Sequence, residues 1–468
     1  NRIERKSIYL EPVLPQEIIL TIDSLKNNSA AGVDGISSVL LKKIKTKIID
    51  VLTYIINLSF TTGIFPEKLK ITKIKPLFKK GDQMDAANYR PLALLPVISK
   101  IFERAMADQL ISYLEENDLI DNIQHGFRKR KSVVTAATEF LEGVIDSIDR
   151  GDKVIGVFMD LHKAFDSVCH TTLLSKLALL GIKENEYNWF KSYLQNRQQF
   201  VEIAQQNTKN NFSINYKSNL KQTIFGVPQG SILGPLLFLC YLKGLPELEK
   251  LCLYADDATL RISAPSKYDI EMDAFLSLSN LNQFFQENNL ILNPTKTNYI
   301  EFNTNRCRNK INPSIQMDQI SIAKVEEVKF LGLTLDSSLS WNKHIDSVLS
   351  KMGSGLYALR RISKLCTNNT LKLVYFSHIH SHIVFGIALY GSTSIRNLNS
   401  ILTVQKKAIR IMLGLQWNES VKNHFAQLEI MTVYSAYIYH TILSVKNRIN
   451  DIEKCGKNHS YNTRNRNN

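Results

Sequence analysis

The chain has few of the features that direct a protein to a membrane or out of the cell. Its longest apolar run, Pro235 to Leu242, is far shorter than the ~18 residues that a membrane-spanning helix needs. The first residues, Asn1 to Lys6, are polar and charged, which is not typical of a secretory signal. We therefore expect no membrane contact. Because the sequence does not begin with Met, we expect it to be part of a longer chain.

Cysteine is scarce and lacks the spacing of a structural site. The six cysteines, at positions 169, 240, 252, 307, 366 and 455, form no CxxC pair and have no closely spaced pair of His residues beside them. A zinc module and a disulfide framework are therefore not expected. The pattern favours a reducing, intracellular compartment.

Acidic residues are too few to balance the basic ones. The 468 residues include 58 Lys and Arg against 43 Asp and Glu, and this net charge of +15 indicates a polyanionic partner. Between Lys351 and Asn468, 16 basic residues stand against 4 acidic ones. Phosphate pairing combined with aromatic stacking is typical of strand-binding surfaces. Aromatic residues interleaved with the basic ones include Tyr357, Tyr375, Trp417, Tyr434 and Tyr437. A solvated helical surface is the alternative interpretation.

The length suggests about three structural units at roughly 150 residues each. Amphipathic patterns predict helices over 15–27, 37–61, 97–118, 132–149, 171–195, 267–288, 341–364, 368–390, 397–414 and 421–447. Apolar or β-branched runs predict strands over 71–78, 154–159, 199–203, 220–225, 250–254, 258–262, 298–302 and 328–335. We expect a helix-rich front, an α/β centre and a helical end without strands after about 340.

Three aspartates stand at the ends of apolar segments in the centre of the chain. The apolar strand Val154–Met159 ends in Asp160, and the adjacent Asp256 and Asp257 separate two further apolar runs. Adjacent carboxylates with apolar flanks repel one another, and a divalent cation relieves that repulsion. Three carboxylates on neighbouring strands can hold the pair of Mg²⁺ ions used in phosphoryl transfer. For the isolated Asp-Asp pair, an ordinary surface turn is the alternative.

Seven short blocks occur in a distinctive order along the chain. They are Asn88-Tyr89-Arg90-Pro91-Leu92, Gln124-His125-Gly126-Phe127-Arg128, Phe158-Met159-Asp160 with Ala164-Phe165-Asp166, Gly226-Val227-Pro228-Gln229-Gly230-Ser231, Tyr254-Ala255-Asp256-Asp257, Leu292-Asn293-Pro294-Thr295-Lys296-Thr297 and Phe330-Leu331-Gly332. Together they closely resemble the reverse-transcriptase core of non-LTR (LINE-type) retrotransposons, especially the jockey-like group of insect elements.

The resemblance implies an α+β fold, the right-hand polymerase, with fingers, a palm built on an antiparallel sheet, a thumb and a helical C-terminal region. We expect 1–150 to form an N-terminal extension and the fingers. The segment 151–340 is expected to form the palm with part of the fingers–palm connection, and 341–468 the thumb and the basic helical region. The implied activity is RNA-directed DNA polymerase, which extends a DNA primer on an RNA template with dNTPs.

The resemblance also implies the metal centre. Asp160, Asp256 and Asp257, with the backbone oxygen of Leu161, would ligate two Mg²⁺ ions, with Mn²⁺ as the alternative. Lys296 matches the family lysine that protonates the leaving pyrophosphate, and a simple surface role is its alternative.

Four side chains are expected around the nucleotide, together with the backbone of Leu161. Phe165 resembles the steric gate that leaves no room for a 2′-hydroxyl, with a plain core Phe as the alternative. Gln229 is expected to hydrogen-bond to the incoming nucleotide. Arg90 resembles the fingers residue that clamps the β- and γ-phosphates, because its forked guanidinium suits bidentate contacts. Lys79 is the expected second phosphate contact, with Lys80 as the alternative.

The remaining site residues are expected along the primer and the template. Gly226, Pro228 and Gly230 would form a tight loop that lets the backbone approach the template and the nucleotide. Phe330, Leu331 and Gly332 resemble the primer-grip strand. We interpret the basic run 128–131 as tracking template phosphates.

Two alternatives to an active reverse transcriptase remain open. One is a decayed or co-opted element protein that binds RNA or DNA without polymerising, because Cys169 and the stretch 241–246 depart from the family pattern. The other is an RNA-dependent RNA polymerase, against which the aromatic Phe165 argues. An endonuclease is expected on a missing N-terminal part or on a separate chain, and action in the nucleus and cytoplasm is expected.

Overall fold

The structure is a computed structural model, and it describes residues 7–206, 213–246, 248, 250–303, 311–317 and 320–448. Within these ranges the fold is mixed α+β, as expected. Cys307, Cys455 and the end of the basic segment after 448 lie outside the described residues. No helix in the described ranges has both the length and the apolar character needed to cross a membrane.

Helices occur at both ends of the described chain and between the strands. In chain order they are α1 (Pro15–Ser24), α2 (Ser38–Thr62), α3 (Val97–Glu116), α4 (Val133–Asp149), α5 (His170–Leu179), α6 (Glu184–Leu194), α7 (Leu233–Tyr241), α8 (Lys267–Glu287), α9 (Asn342–Ile362), α10 (Asn368–Tyr375), α11 (Ser381–Val384), α12 (Ile387–Tyr390), α13 (Ile395–Leu413), α14 (Lys422–Gln427) and α15 (Val433–Asn447). A π-helical turn, Phe376–His380, joins α10 to α11.

The strands lie between Ile71 and Asp336. They are β1 (Ile71–Phe78), β2 (Tyr89–Leu94), β3 (Lys153–Met159), β4 (Gln198–Gln206), β5 (Ser213–Lys217), β6 (Lys221–Gln222), β7 (Leu251–Tyr254), β8 (Asp257–Ala264), β9 (Asn298–Phe302), β10 (Gln316–Met317), β11 (Ile320–Ser321), β12 (Ala323–Lys324), β13 (Glu327–Phe330) and β14 (Leu333–Asp336). The expectation of no strand after about 340 is confirmed for the described range 341–448.

Two larger sheets carry the centre of the molecule. The first has the order β2-β1-β4-β5, and β6 also pairs with β4. The second has the order β12-β9-β3-β8-β7, with β3 antiparallel to both of its neighbours. The first sheet therefore joins a hairpin from the front of the chain to strands that follow α6, across more than 100 residues of sequence.

Side-chain caps mark the ends of the long helices. The Ser37 hydroxyl accepts the Leu40 N–H at 3.2 Å, which satisfies one of the free donors at the start of α2. The chain leaves α2 through Gly63 in the left-handed conformation. The Ser394 side chain and Gly414 play the same two parts for α13.

Two hydrophobic cores meet at β3. The first packs α1 to α3 and α5 to α8 around one face of the second sheet and includes Ile155, Val157 and Met159. The second packs α4 and the helices after β14 against the other face and includes Val154 and Phe158. This alternation follows from the two-residue repeat of a strand.

Some predicted elements are divided in the structure. The single helix predicted over 171–195 is wrong, because Gly181 at φ +93° turns the chain between α5 and α6. The single strand predicted over 328–335 is wrong as well. It is the hairpin β13–β14, and both residues of its turn, Leu331 and Gly332, have positive φ.

Other predicted helices and strands differ from the structure in length or continuity. The strand predicted over 220–225 is only the two-residue β6. The helices predicted over 368–390 and 421–447 are each interrupted, the first by the π-helical turn and by Gly386. β2 and β5 are strands that the hydrophobic patterns do not indicate, since both present many exposed residues.

Candidate active site

One end of the second sheet carries the three aspartates. Met159, the last residue of β3, pairs with Ala258 on β8, so Asp160 follows beside the start of β8. Asp257 is the first residue of β8 and pairs with Tyr254 at the end of β7. Asp256 lies in the turn between these two strands. The three carboxylates therefore lie together at one end of the second sheet, where β3, β7 and β8 meet.

The turn that carries Asp256 and Asp257 is conformationally unusual. Ala255 is 93% buried and adopts a left-handed φ of +58°. Residues other than glycine seldom adopt this conformation, and it persists only where the surroundings enforce it. The geometry of the acidic turn therefore depends on its neighbours.

The carboxylates influence one another electrostatically. Burial, together with the charges of Asp256 and Asp160, raises the pKa of Asp257 to about 6. Burial also raises the pKa of Asp256, with a further increase from Asp160 and an opposing effect from Arg90. The folded chain thus disfavours ionisation of both groups, and a bound cation would offset that cost.

The chemistry of these donors fits a hard divalent cation. Carboxylate oxygens, with a backbone oxygen such as that of Leu161, are the ligands that Mg²⁺ prefers. Asp160 instead pairs with Lys296, with Nζ 3.3 Å from its Oδ2. Across the described residues no group of three or more His, Cys, Asp or Glu side chains is already arranged as a metal site. The ion pair engages Oδ2 of Asp160, so its Oδ1 could contact a cation while the pair with Lys296 persists.

A cavity of about 640 Å³ opens in front of the aspartates. The expected site residues that line it are Lys79, Arg90, Asp160, Leu161, Phe165, Pro228, Gln229, Gly230, Asp256, Asp257 and Lys296. Lys80 is not among the lining residues, which favours Lys79 of the two lysines. A second cavity of about 330 Å³ adjoins the first and is lined by Gly226.

The loop from Gly226 to Gly230 is fixed to its neighbours by backbone hydrogen bonds. The N–H of Val227 donates to the carbonyl of Phe165 at 2.9 Å, and the N–H of Ala93 on β2 donates to the carbonyl of Gln229 at 3.0 Å. A Cβ on Gly226 would lie 2.9 Å from the backbone of Asp166. Position 226 therefore needs a glycine because the backbone of Asp166 packs closely against it.

Gln229 faces the cavity beside a carboxylate that the sequence motifs leave without a role. Its Nε2 donates to Oδ1 of Asp166 at 2.8 Å. Burial raises the pKa of Asp166, and the hydrogen bond from Gln229 opposes that shift. Asp166 thus orients the Gln229 amide. Its place in the same block as Phe165 is the signal that could have identified it.

Glu103 is a second residue that sequence patterns missed. It is fully buried on α3, and its Oε2 accepts the N–H of Ile232 at 2.7 Å, just before α7 begins. Burial raises the pKa of this carboxyl, while the nearby Arg197 lowers it. Glu103 therefore holds the far end of the Gly/Pro/Gln loop. In the sequence, the only indication of Glu103 was that it is a single acidic residue on the apolar face of a predicted helix.

Phe165 belongs to the cavity and to the core at once. Its ring stacks on Phe238 of α7, with centroids 4.7 Å apart and planes 30° apart. It is half-buried and also lines the large cavity. The stacking fixes the position of the ring, as an aromatic wall under a nucleotide sugar requires.

The hairpin turn at 331–332 lies away from the cavity. The Phe330 ring is buried and packs against Phe140 at 5.1 Å and Phe158 at 5.4 Å. Gly332 faces Phe385, which begins the link between α11 and α12. A primer could meet the backbone of this turn but not the Phe330 ring.

Comparisons with known proteins agree with the motifs. The family model described as reverse transcriptase (RNA-dependent DNA polymerase) matches residues 78–335, more than half of the chain. This chain belongs to the reverse transcriptase family. The family resemblance inferred from the seven blocks is therefore confirmed, and the matched range contains all the expected site residues.

Relatives of this reverse transcriptase come from insect mobile elements. The RNA-directed DNA polymerase from mobile element jockey of Drosophila melanogaster is 26% identical over 437 residues, covering 88% of this chain and 45% of the relative. Its namesake in Drosophila funebris is 27% identical over 432 residues, covering 87% and 44%. The chain thus spans about half the length of the curated relatives it matches. Among solved structures, apo telomerase from Candida tropicalis is 12% identical with a TM-score of 0.43, covering 86% of this chain and 71% of that one.

Proposed function

We propose that this reverse transcriptase is the RNA-directed DNA polymerase of a non-LTR retrotransposon, which extends a DNA primer on an RNA template. The observation that carries the proposal is the convergence of three carboxylates, Phe165 and Gln229 on one cavity. In the right-hand arrangement, the first sheet would form part of the fingers and the second the palm. The helices from α9 onward would form the thumb. The proposed reaction places the protein with element RNA and chromosomal DNA, in the cytoplasm and the nucleus.

The aspartates would hold two divalent ions, Mg²⁺ or Mn²⁺, together with the backbone oxygen of Leu161. When bound, these ions would neutralise the triphosphate and activate the primer 3′-hydroxyl. Lys296 lies within ion-pair distance of Asp160, which supports a role for this lysine beside the transferring phosphate. Lys296 would donate a proton to the leaving pyrophosphate.

The other cavity residues would position the nucleotide. Arg90 and Lys79 are exposed at the mouth, where their charges can reach the β- and γ-phosphates. Gln229, oriented by Asp166, would hydrogen-bond to the nucleotide, and the Phe165 ring would exclude a 2′-hydroxyl. The loop backbone at Pro228 and Gly230 would lie along the template side.

Primer extension tests the proposal directly. The full chain is incubated with poly(rA)/oligo(dT), dTTP and Mg²⁺, and the product length is measured. Template-dependent extension is the expected result. A chain that binds the duplex but adds no nucleotide would instead be the co-opted binding protein. Preferential incorporation of rNTPs would favour an RNA polymerase.

The helical end offers a basic surface, although not every aromatic residue contributes to it. Tyr375 is fully buried and its hydroxyl accepts a hydrogen bond from Gln405, so the expectation that it stacks on a strand is wrong. Trp417 and Tyr357 are 85% and 65% exposed. Arg410 donates from Nε and Nη2 to the carbonyl of Glu419, at 3.1 and 3.0 Å, so part of its role is structural.

Lys406 and Lys407 are exposed on α13 and test this surface. Replacing both with Gln is expected to weaken duplex binding and to reduce the slope of log affinity against log salt by up to about 2, because each phosphate contact releases roughly one counterion. Affinity is measured across a salt series. The matched control replaces the exposed Lys43 and Lys47 on α2 and should keep the original slope. An unchanged slope in the α13 variant would mean that these lysines only face solvent.

A further inference from the structure

The acidic turn is covered by a segment to which the reverse-transcriptase motifs assign no chemistry. β7 is the edge strand of the second sheet. The segment just before α4 runs parallel to it, with Gln124 bridged to Leu253. The N–H of His125 donates to the carbonyl of Leu253 at 2.8 Å, and the N–H of Leu253 donates to the carbonyl of Ile123 at 2.9 Å. The edge next to the acidic turn is therefore occupied by this segment.

The side chain of Gln124 reaches from this segment into the turn. Its Oε1 accepts the N–H of Ala255 at 3.1 Å and the N–H of Gly126 at 2.7 Å. Because both partners are backbone N–H donors, the atom that faces them must be the side-chain oxygen of Gln124. This fixes the orientation of the Gln124 amide. Gln124 is 97% buried, so the N–H of Ala255 would have no water to replace this acceptor.

Gly126 brings the segment against the same residue. A Cβ on Gly126 would lie 2.4 Å from the backbone nitrogen of Ala255 and 3.1 Å from its Cα. Both of these atoms of Ala255 belong to the backbone, so neither can move aside as the end of a long side chain can. Any side chain at 126 would therefore displace the turn. The same Cβ would lie 3.0 Å from Oε1 of Gln124, so Gly126 and Gln124 act together on Ala255.

We propose that Gln124 is a positioning residue that, with Gly126, holds Ala255 in its left-handed conformation and so sets the direction of the Asp256 and Asp257 carboxylates. The inference rests on the proposed polymerase function for its catalytic consequence. Its structural part concerns only the conformation of the turn. A carboxylate displaced by about 1 Å can lower a catalytic rate about a hundredfold without altering substrate binding.

Three variants of the full chain test the proposal. Gln124→Met keeps the length of the side chain and removes the acceptor, Gly126→Ala adds the obstructing carbon, and Gln124→Glu restores an acceptor oxygen. On poly(rA)/oligo(dT), the first two are expected to lower kcat by about tenfold or more, with KM for dTTP and duplex affinity within about twofold. Gln124→Glu restores the acceptor oxygen, so the Ala255 amide should regain protection from hydrogen exchange in that variant.

Matched controls separate positioning from folding. Gln405→Met removes an equally buried amide whose Oε1 accepts the Val433 N–H at 2.8 Å, far along the chain in the second core. Gly353→Ala adds a Cβ where nothing lies within 4 Å. Either control can shift Tm, but neither should change kcat. Hydrogen exchange supplies a readout that needs no activity: the Ala255 amide should lose protection in Gln124→Met and keep it in both controls.

Each outcome decides one of the two claims. An unaltered chain that adds no nucleotide contradicts the proposed function, and the Ala255 exchange measurement then decides the positioning role alone. Full kcat in Gln124→Met, unchanged Ala255 protection in Gln124→Met, or equal loss of that protection in Gln124→Met and Gln124→Glu would each overturn the assignment of Gln124.

Discussion

Replacing Asp256 by Asn is expected to abolish primer extension, by about a thousandfold or more, while duplex affinity stays within a few-fold. The carboxylate is one of three that would hold the cations, and an amide oxygen carries no charge to replace it. The lysines of α13 that we propose as phosphate contacts do not line the cavity, so duplex binding should survive. Extension rates and duplex affinity are measured on the same preparation.

Folding should not suffer in this variant. Because burial and Asp160 raise the pKa of Asp256 above its unfolded value, the ionised carboxylate costs folding free energy at pH values above that raised pKa. The neutral Asn removes that cost, so Tm at pH 7 in metal-free buffer should stay the same or rise. Asp273→Asn, an exposed change on α8, is the matched control and should retain extension. Retained extension in Asp256→Asn would refute the metal-site assignment.

Replacing Phe165 by Val is expected to raise the ratio of rNTP to dNTP incorporation by about tenfold or more, because the smaller side chain opens space beneath the sugar. Phe165 lines the cavity and is held in place by Phe238, so its truncation should widen the cavity itself. The ratio is obtained from kcat/KM for dTTP and for UTP on the same duplex.

A core phenylalanine elsewhere provides the comparison. Phe285 is 1% exposed in the first core and does not line the cavity. Phe285→Val should lower Tm through the lost packing and leave the sugar ratio unchanged. If Phe165→Val behaves in the same way, Phe165 is an ordinary core residue.

The sequence predicted the positions of the three aspartates at strand ends because the signals for them are local. Asp160 and the Asp256–Asp257 pair terminate apolar strands, and burial of those strands on both faces made the pattern easy to find. The match of 78–335 to the family model confirms the resemblance. The individual roles of Arg90 and Lys296 remain predictions, because the structure gives only their positions beside the cavity.

Contacts between distant segments could not be predicted from the sequence. The hydrogen bond from Gln229 to Asp166 spans 63 residues, and that from Ile232 to Glu103 spans 129. Periodicity also failed where a tight turn interrupts a continuous apolar pattern, as at Gly181 between α5 and α6. In each case tertiary packing, which local patterns do not encode, determined the outcome.

The alternation of β3 between two cores has a consequence for how the molecule opens. Ile155 and Val157 face one core and Val154 and Phe158 the other, while Gly156 leaves room for the rings of the second core. Neither core can come apart without exposing one side of the strand that leads to Asp160. The amides of β3 should therefore exchange with solvent only through global unfolding, whereas the ends of α15 exchange by local fraying. We therefore expect the strand that leads to Asp160 to belong to the slowest-exchanging part of the protein, which a hydrogen-exchange measurement would show.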